Sequence, residues 1–226
     1  MKTKINGVVV PYEKTTSELI EMLGCEMPLF RVSCEALSHK TDELSFEALL
    51  GVVKSGDQFK RRVGLECLGN HIMFDKAADV VMACLEDESP YVVKTAIEAA
   101  IKHRIERAHE KLIRLLKSKD ESIREAATVA LEFINEENNF DMALALYNDR
   151  NTKIRKIIPH IILAIANDVN WKKAYDMMKC DDNDKARLVA CKLLLKFGTK
   201  IEKEEIRSFS HDKNGHIRKL SLRHDP

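Results

Sequence analysis

Glycine and proline are scarce, eight and five in 226 residues, and alternation of apolar with polar residues is almost nowhere sustained. The chain is therefore read as helical. No apolar run approaches the ~18 residues that span a bilayer, so no membrane partner is expected. The opening stretch, MKTKINGVVVPYEK, is too short and too polar after Val10 to act as a secretory signal. Six cysteines are present, yet none forms a C-x-x-C pair, which excludes a zinc knuckle and a dithiol redox motif. Cys34, Cys67 and Cys191 fall on apolar helix faces, where a free thiol is a small hydrophobe. This is the usage of a reduced, cytoplasmic protein. Charge of one sign is also lacking, with 37 bases against 36 acids. Nucleic-acid and membrane-surface proteins usually carry a clearer basic excess. Residues 1–113 hold 15 bases and 18 acids, residues 114–226 hold 22 and 18, which is only a mild polarity.

Catalytic motifs are missing too. The eight histidines (His39, His71, His103, His109, His160, His211, His216 and His224) include no H-x-x-x-H or H-E-x-x-H, so a helical zinc site has no support. There is no G-x-S-x-G and no glycine-rich phosphate loop. Cys34 has His39 five residues on, but nothing near it marks an activated thiolate. His211, Asp212, His216, His224 and Asp225 read as a polar terminal cap in preference to a metal site. No enzyme, cofactor or metal is expected.

What the chain does contain is a recurring helix pattern, clearest in Lys119–Ile134. Ser118 with Glu121 has capping-box spacing, and Asp120 is an alternative N-cap. Ile123, Ala126, Ala127, Ala130, Leu131 and Ile134 then make one apolar face, and its alanines allow a second helix to approach closely. From Thr15 onward two helix types alternate. The second type opens with an apolar residue and a base: Phe30-Arg31, Phe59-Lys60, Val93-Lys94, Ile123-Arg124, Ile154-Arg155, Ala186-Arg187 and Ile217-Arg218. Successive bases lie 29, 34, 30, 31, 32 and 31 residues apart, a repeat signature. Turns with Asp57, Asp87, Asp120, Asp149, Asp182 and Asp212, and Glu26 in the first copy, join the two types. A single pair cannot bury all its apolar sides, so pairs must stack.

Paired helices with an acidic turn and an apolar-basic-x-x-Ala opening resemble HEAT repeats, especially the short bacterial HEAT-like kind. The resemblance covers roughly residues 15–224. It implies an all-α fold, a right-handed α-solenoid of about seven antiparallel helix pairs. Residues 1–14, with an Asn6-Gly7 turn and Val8–Val10, form an arm capping the first repeat. Residues 15–226 form one domain, with repeats at 15–40, 41–72, 73–105, 106–136, 137–167, 168–199 and 200–226. The resemblance also implies a ladder in which turn acid and helix base bond to each other or to the next repeat. Carried over, it pairs Asp120 with Arg124, Asp149 with Arg155, Asp182 with Arg187, and Asp212 with Arg218. Lys60 and Lys94 lack the guanidinium fork. Pro159 falls inside a second-type helix and should bend it. Trp171, in a first-type helix, should be core.

The resemblance specifies fold more closely than function. The second-type helices are expected to line the concave side, and the residues placed there are Glu35, Arg61, Arg62, Thr95, Glu98, Glu125, Thr128, Glu132, Lys156, Lys192, Lys196 and Lys219. Acids at one end and bases at the other suit a protein of mixed charge better than a uniform polyanion. The expectation is a monomeric, non-enzymatic scaffold for another protein. The alternative is a nucleic-acid-backbone binder, since some HEAT-like solenoids are alkylpurine DNA glycosylases with basic second helices. Arg31, Lys60, Arg61, Arg62, Lys94, Arg124, Arg155, Lys156, Arg187, Arg218 and Lys219 would then track phosphates, although aromatic walls for a flipped base are scarce. A weaker alternative is a bilin-lyase-like HEAT protein.

Overall fold

The computed structural model describes residues 3–134 and 139–224. The expected boundary between the fourth and fifth repeats, 136/137, and Asp225 lie outside the described residues. After a short arm the chain runs through α1 (Thr16–Met22), α2 (Leu29–Ser38), α3 (Glu43–Val53), α4 (Gln58–Leu68), α5 (Ala78–Cys84), α6 (Pro90–Lys102), α7 (His109–Leu115), α8 (Glu121–Ala130), α9 (Asn139–Leu146), α10 (Thr152–Ile165), α11 (Trp171–Met178), α12 (Asp184–Phe197) and α13 (Gly215–Arg223). Short 3₁₀ turns, Phe74–Ala77 and Glu106–Ala108, lead into α5 and α7, and a 3₁₀-helix, Glu202–His211, precedes α13. The helices therefore fall into consecutive pairs, an all-α solenoid architecture.

The chain divides into two compact units, residues 1–127 and 128–226. In the first, α3 packs on α4 and α5 on α6, while α2, α4 and α6 stack on one another. Leu19, Leu37, Leu49, Leu65, Leu68 and Ile97 are fully buried between the layers. Each contributes about 1.5–3 kcal/mol relative to exposure. Gly64 permits the close contact of α4 with α3: a Cβ there would lie 2.7 Å from Val52 Cγ1 and 3.0 Å from the Val53 nitrogen. In the second unit α9 packs on α10, α11 on α12, and α12 contacts both α10 and α13. Ile154, Ile158, Ile161 and Ile162 fill its core. Trp171, Tyr175 and Phe209 join them, with ring centroids 5.8 and 6.5 Å apart along the row. Pro159 is buried and α10 runs on through it.

The arm is a hairpin. β1 (Lys4–Ile5) pairs antiparallel with β2 (Val8–Val9). Asn6 and Gly7 turn with φ 50° and 81°, the left-handed pair a type I′ turn requires. β2 lies against α2, Val10 is buried, and Lys40 Nζ donates to the carbonyls of Tyr12 and Lys14 at 3.1 and 2.6 Å.

The helix caps set the repeat register. Asp57 Oδ1 accepts from the N–H groups of Phe59 and Lys60, and Asp120 Oδ1 from those of Ser122 and Ile123. Asn151, Asn183 and Asn214 do the same for Lys153, Lys185 and His216. Ser89 is the matching residue before α6. These N-caps recur every 31 or 32 residues, a steadier period than the 29-to-34 spacing of the bases. Ser118 is not the cap of α8: its hydroxyl accepts from the Asp120 N–H at 3.2 Å. The capping boxes are elsewhere, at Thr15 with Glu18 and Thr199 with Glu202.

Candidate functional site

With the caps aligned, the recurrent base stands four residues after each cap. It is Arg61, Arg124, Arg155, Arg187 and Arg218, whereas α6 has Val93 there. Lys60 and Lys94 are off this position by one. Each arginine turns one end back on its own turn. Nη1 donates to the carbonyls five and six residues earlier: Gly56 and Ser55, Lys119 and Ser118, Arg150 and Asp149, Asp182 and Asp181, Lys213 and Asp212, at 2.6–3.5 Å. A guanidinium thus satisfies carbonyls that the preceding helix leaves open.

The other end of the fork reaches forward. Arg61 Nε and Nη2 each lie 2.9 Å from the Asp87 carboxylate. Arg187 Nε and Nη2 lie 2.7 and 3.0 Å from Asp212. Bidentate geometry of this kind is the strong form of ion pair. The Arg187 hydrogen bond holds the Asp212 carboxyl below its ordinary value, although burial opposes it. The expected pairing within a repeat is corrected here. Asp212 bonds to Arg187 of the repeat before it, and Arg218 takes only its carbonyl. The acid of the sixth turn is also Asp181, not Asp182. Asp181 accepts from the Asn183 N–H and the Tyr147 hydroxyl, and Asp182 offers its carbonyl to Arg187. Asp120 caps α8, and Asp149 Oδ1 accepts from the Asn151 N–H.

Presence of an arginine and of the next acid go together. Arg61 is followed by Asp87, Arg155 by Asp181 and Arg187 by Asp212. Phe30 and Val93 hold the arginine position in α2 and α6, and the matching acids are replaced by Ser55 and Ser118. A partly buried carboxylate without its cation would be costly, which accounts for the Arg61–Asp87 and Arg187–Asp212 pairs, whereas Asp181 is held by the Tyr147 hydroxyl and the Asn183 N–H and not by Arg155.

The expected binding residues separate. Thr128 is fully buried and faces no groove. Arg61 is 12 % exposed and committed to Asp87, so it is structural. Arg62 lies over the Phe59 ring at 5.2 Å and 3.5 Å from Glu66. Glu35 is partly covered near His39. Glu98, Glu132, Lys156, Lys192, Lys196 and Lys219 are exposed, Thr95 and Glu125 half-buried. Lys196 covers Phe197 at 4.6 Å.

One helix position orders the exposed charges. Val32–Leu37 of α2 and Val63–Leu68 of α4 share one burial pattern, which matches Glu35 with Glu66. Glu66 and Glu98 both stand nine residues after their caps. The second unit puts the apolar Val129 and then His160, Lys192 and Arg223 at that same helix position, all exposed. Glu66, which sequence reading passed over, also receives Arg31 Nη1 and Nη2 at 3.0 and 2.6 Å, bridging α2 and α4. That bond lowers the Glu66 pKa. The cap register was the signal that could have found it.

Among the described residues no group of three or more His, Cys, Asp or Glu is placed to hold a metal, and no helix is long and apolar enough to cross a membrane. Cys34, Cys67, Cys84 and Cys191 are buried, Cys25 and Cys180 exposed.

Comparison with known proteins agrees with this architecture. A family model described as HEAT repeats matches residues 46–132 and 78–158. No curated protein matches the chain by sequence. Among solved structures, the YibA protein of Escherichia coli is similar at 17% identity and a TM-score of 0.64, covering 95% of this chain and 93% of that one. An archaeal HEAT-like repeats protein from Thermococcus onnurineus is similar at 16% identity, TM-score 0.56, with 94% and 96% covered. The complex of CpcE and CpcF of phycocyanin lyase from a Nostoc species is similar at 16% identity, TM-score 0.57, with 98% and 89% covered. At such identities the likeness concerns fold. Matched across half of its length by the repeat model and built of paired helices within each of its two units, the chain belongs to the HEAT-repeat family.

Proposed function

We propose that the chain is a non-enzymatic scaffold, monomeric and cytoplasmic, that holds a protein partner on the exposed face of its second helices. The observation that carries this reading is the use of the recurrent arginines. Arg61 and Arg187 are engaged by carboxylates of the next turn, and Arg155 and Arg218 by carbonyls of their own. Arg31 is held by Glu66. The recurrent arginines are thus drawn into the fold, and the bases left for phosphates are separate exposed side chains such as Lys156 and Lys219. The position nine residues past the cap instead carries the glutamates Glu66 and Glu98 in one unit, and Val129, His160, Lys192 and Arg223 in the other, a change of charge suited to a partner of mixed charge. The fold is one that protein-interaction scaffolds commonly use.

The test is affinity capture with the full chain from a lysate of the source organism, read by mass spectrometry and repeated with Glu98→Lys and Lys192→Glu. One protein recovered at a fixed ratio, and lost with these charge reversals, supports the scaffold. Binding of duplex DNA with a steep salt dependence, abolished by Lys156→Ala and Lys219→Ala, would replace it with the nucleic-acid reading.

A further inference from the structure

The first turns of the second helices in the 1–127 unit expose apolar side chains that the core does not use. Met27 and Leu29, at the start of α2, are 43 % and 42 % exposed, Phe59 of α4 is 39 % and Tyr91 of α6 is 65 %. Phe59 and Tyr91 stand two residues after their caps, where later repeats place Ser122, Lys153, Lys185 and His216. Because α2 packs on α4 and α4 on α6, these helix starts follow one another as a strip, in which Phe59 and Tyr91 line a common cleft. Between Phe59 and Tyr91 lies a cleft of about 360 Å³, lined by Gln58, Phe59, Arg62 and Tyr91. That volume falls in the range of binding pockets, and clustered exposed aromatics mark interaction surfaces more often than single ones do.

Cations border the strip. Arg62 is one-third exposed and lies over Phe59, and Lys60 Nζ lies 5.4 Å above the Phe30 ring. Lys94 follows Tyr91 by three residues, nearly one turn along α6. Glu66 approaches Arg62 at 3.5 Å but is gripped more closely by Arg31, so the Arg62 guanidinium keeps donors for another acceptor. Glu88, 87 % exposed, is drawn toward Arg61 at 3.3 Å.

We infer that this cleft docks a short segment of a partner protein, one aromatic or aliphatic side chain inserted between Phe59 and Tyr91 and an adjacent carboxylate on Arg62. The inference rests on the protein-partner reading above and names the partner's chemistry. Apolar walls supply the affinity and the cation supplies the selectivity, as at protein hot spots. A nucleic-acid base could stack on Tyr91, but the cleft lining holds a single cation, Arg62, which suits one carboxylate beside an apolar side chain better than a run of phosphates.

The probe is a phage-displayed library of random dodecapeptides panned against the full chain, followed by fluorescence anisotropy with the selected peptides and with oligo-dT. Selected peptides should share an aromatic or aliphatic residue with Asp or Glu within three positions. Tyr91→Ala should weaken them about tenfold or more. Arg62→Gln should weaken them less and reduce their salt dependence, and Lys200→Ala, an exposed residue outside the strip, should leave them unchanged. Circular dichroism of each variant checks that these exposed replacements leave the fold intact. Selection of no peptide, or of peptides indifferent to Tyr91→Ala, overturns the docking site. If those peptides instead respond to Glu98→Lys or Lys192→Glu, the site fails while the scaffold reading stands. Preferential binding of oligo-dT, lost with Tyr91→Ala, overturns both.

Discussion

Arg187→Met isolates one rung of the ladder. Arg187 is 12 % exposed and Asp212 5 %. The replacement removes two bonds of 2.7 and 3.0 Å to the carboxylate and two of the same lengths to the carbonyls of Asp181 and Asp182. Hydrogen bonds to charged groups are worth about 1.5–3 kcal/mol, and stranding a buried charge about 3–5. Asp212 keeps the Asn214 N–H at 2.7 Å and some solvent, so the expected loss is about 2–4 kcal/mol. Arg155→Met is the control. It stands at the same helix position but bonds the carbonyls of Asp149 and Arg150 and the Thr152 hydroxyl, and should cost about 1 kcal/mol. Urea unfolding followed by circular dichroism measures both. Because repeats open from their ends, hydrogen exchange adds a local reading. Amides of α13, which follows the Asp212 turn, should exchange roughly 30-fold faster or more, since each 1.4 kcal/mol is a factor of ten. Asp212→Asn should reproduce part of the effect, and the double variant should be less than additive by about 1–2 kcal/mol. Equal effects of Arg187→Met and Arg155→Met, both under about 0.5 kcal/mol, would refute the ladder as a source of stability.

Gly64→Ala should destabilise by about 1–3 kcal/mol, against the ~1 kcal/mol that helix propensity favours, because its Cβ meets Val52 and the Val53 backbone; thermal melting checks it. His71 accepts from the Met73 N–H at Nδ1, and its Nε2 lies 3.0 Å from Ser45 Oγ. Burial depresses its pKa below 6.5 against the opposing charge of Asp42. The neutral ring is thus favoured by the fold, and its stability is present above pH ~6.5 and lost as pH falls through the lower folded value. Melting temperatures from pH 8 to 5 should fall less for His71→Gln than for the unchanged chain. Thiol titration should find Cys25 and Cys180 fast, and Cys34, Cys67, Cys84 and Cys191 reactive only on unfolding, since burial raises Cys34 and Cys191 to about 12 and Cys84 to about 11. Ser118→Asp should cost about 1 kcal/mol, because Val93 brings it no guanidinium, and Val93→Arg added to it should recover part of that loss in urea unfolding.

The helices were legible because their apolar spacing is a property of each segment by itself. Ile123, Ala127, Ala130 and Leu131 are all buried, as the 3.6-residue pattern requires. Trp171 was legible as core for the same reason. The exact caps were less so. Ser118 and Asp120 each carry an oxygen that holds an amide two residues on, and only backbone geometry decides which of them lies at the helix start.

That one ambiguity explains why the ladder was misread. An apolar-basic dipeptide selects Lys60 and Lys94 as naturally as Arg61, since a helix tolerates a cation at either of two neighbouring positions. A guanidinium, however, reaches back to its own turn and forward to the next only from four residues past the cap, which Arg61 and Arg187 occupy. Asp87 and Asp212 each precede their cap by two residues, hold its amide, and take that fork. The two helices that lack the arginine are followed by turns that lack the acid, Phe30 before Ser55 and Val93 before Ser118. In the fourth turn Ser118 still holds the cap amide with its hydroxyl, so the local bond survives while the charge disappears. Holding the turn and bridging repeats are thus separable tasks, and only the second demands a pair. A pair formed across repeats leaves no trace in the spacing within one repeat, which is why intervals of four to six residues between turn acid and base carried so little information.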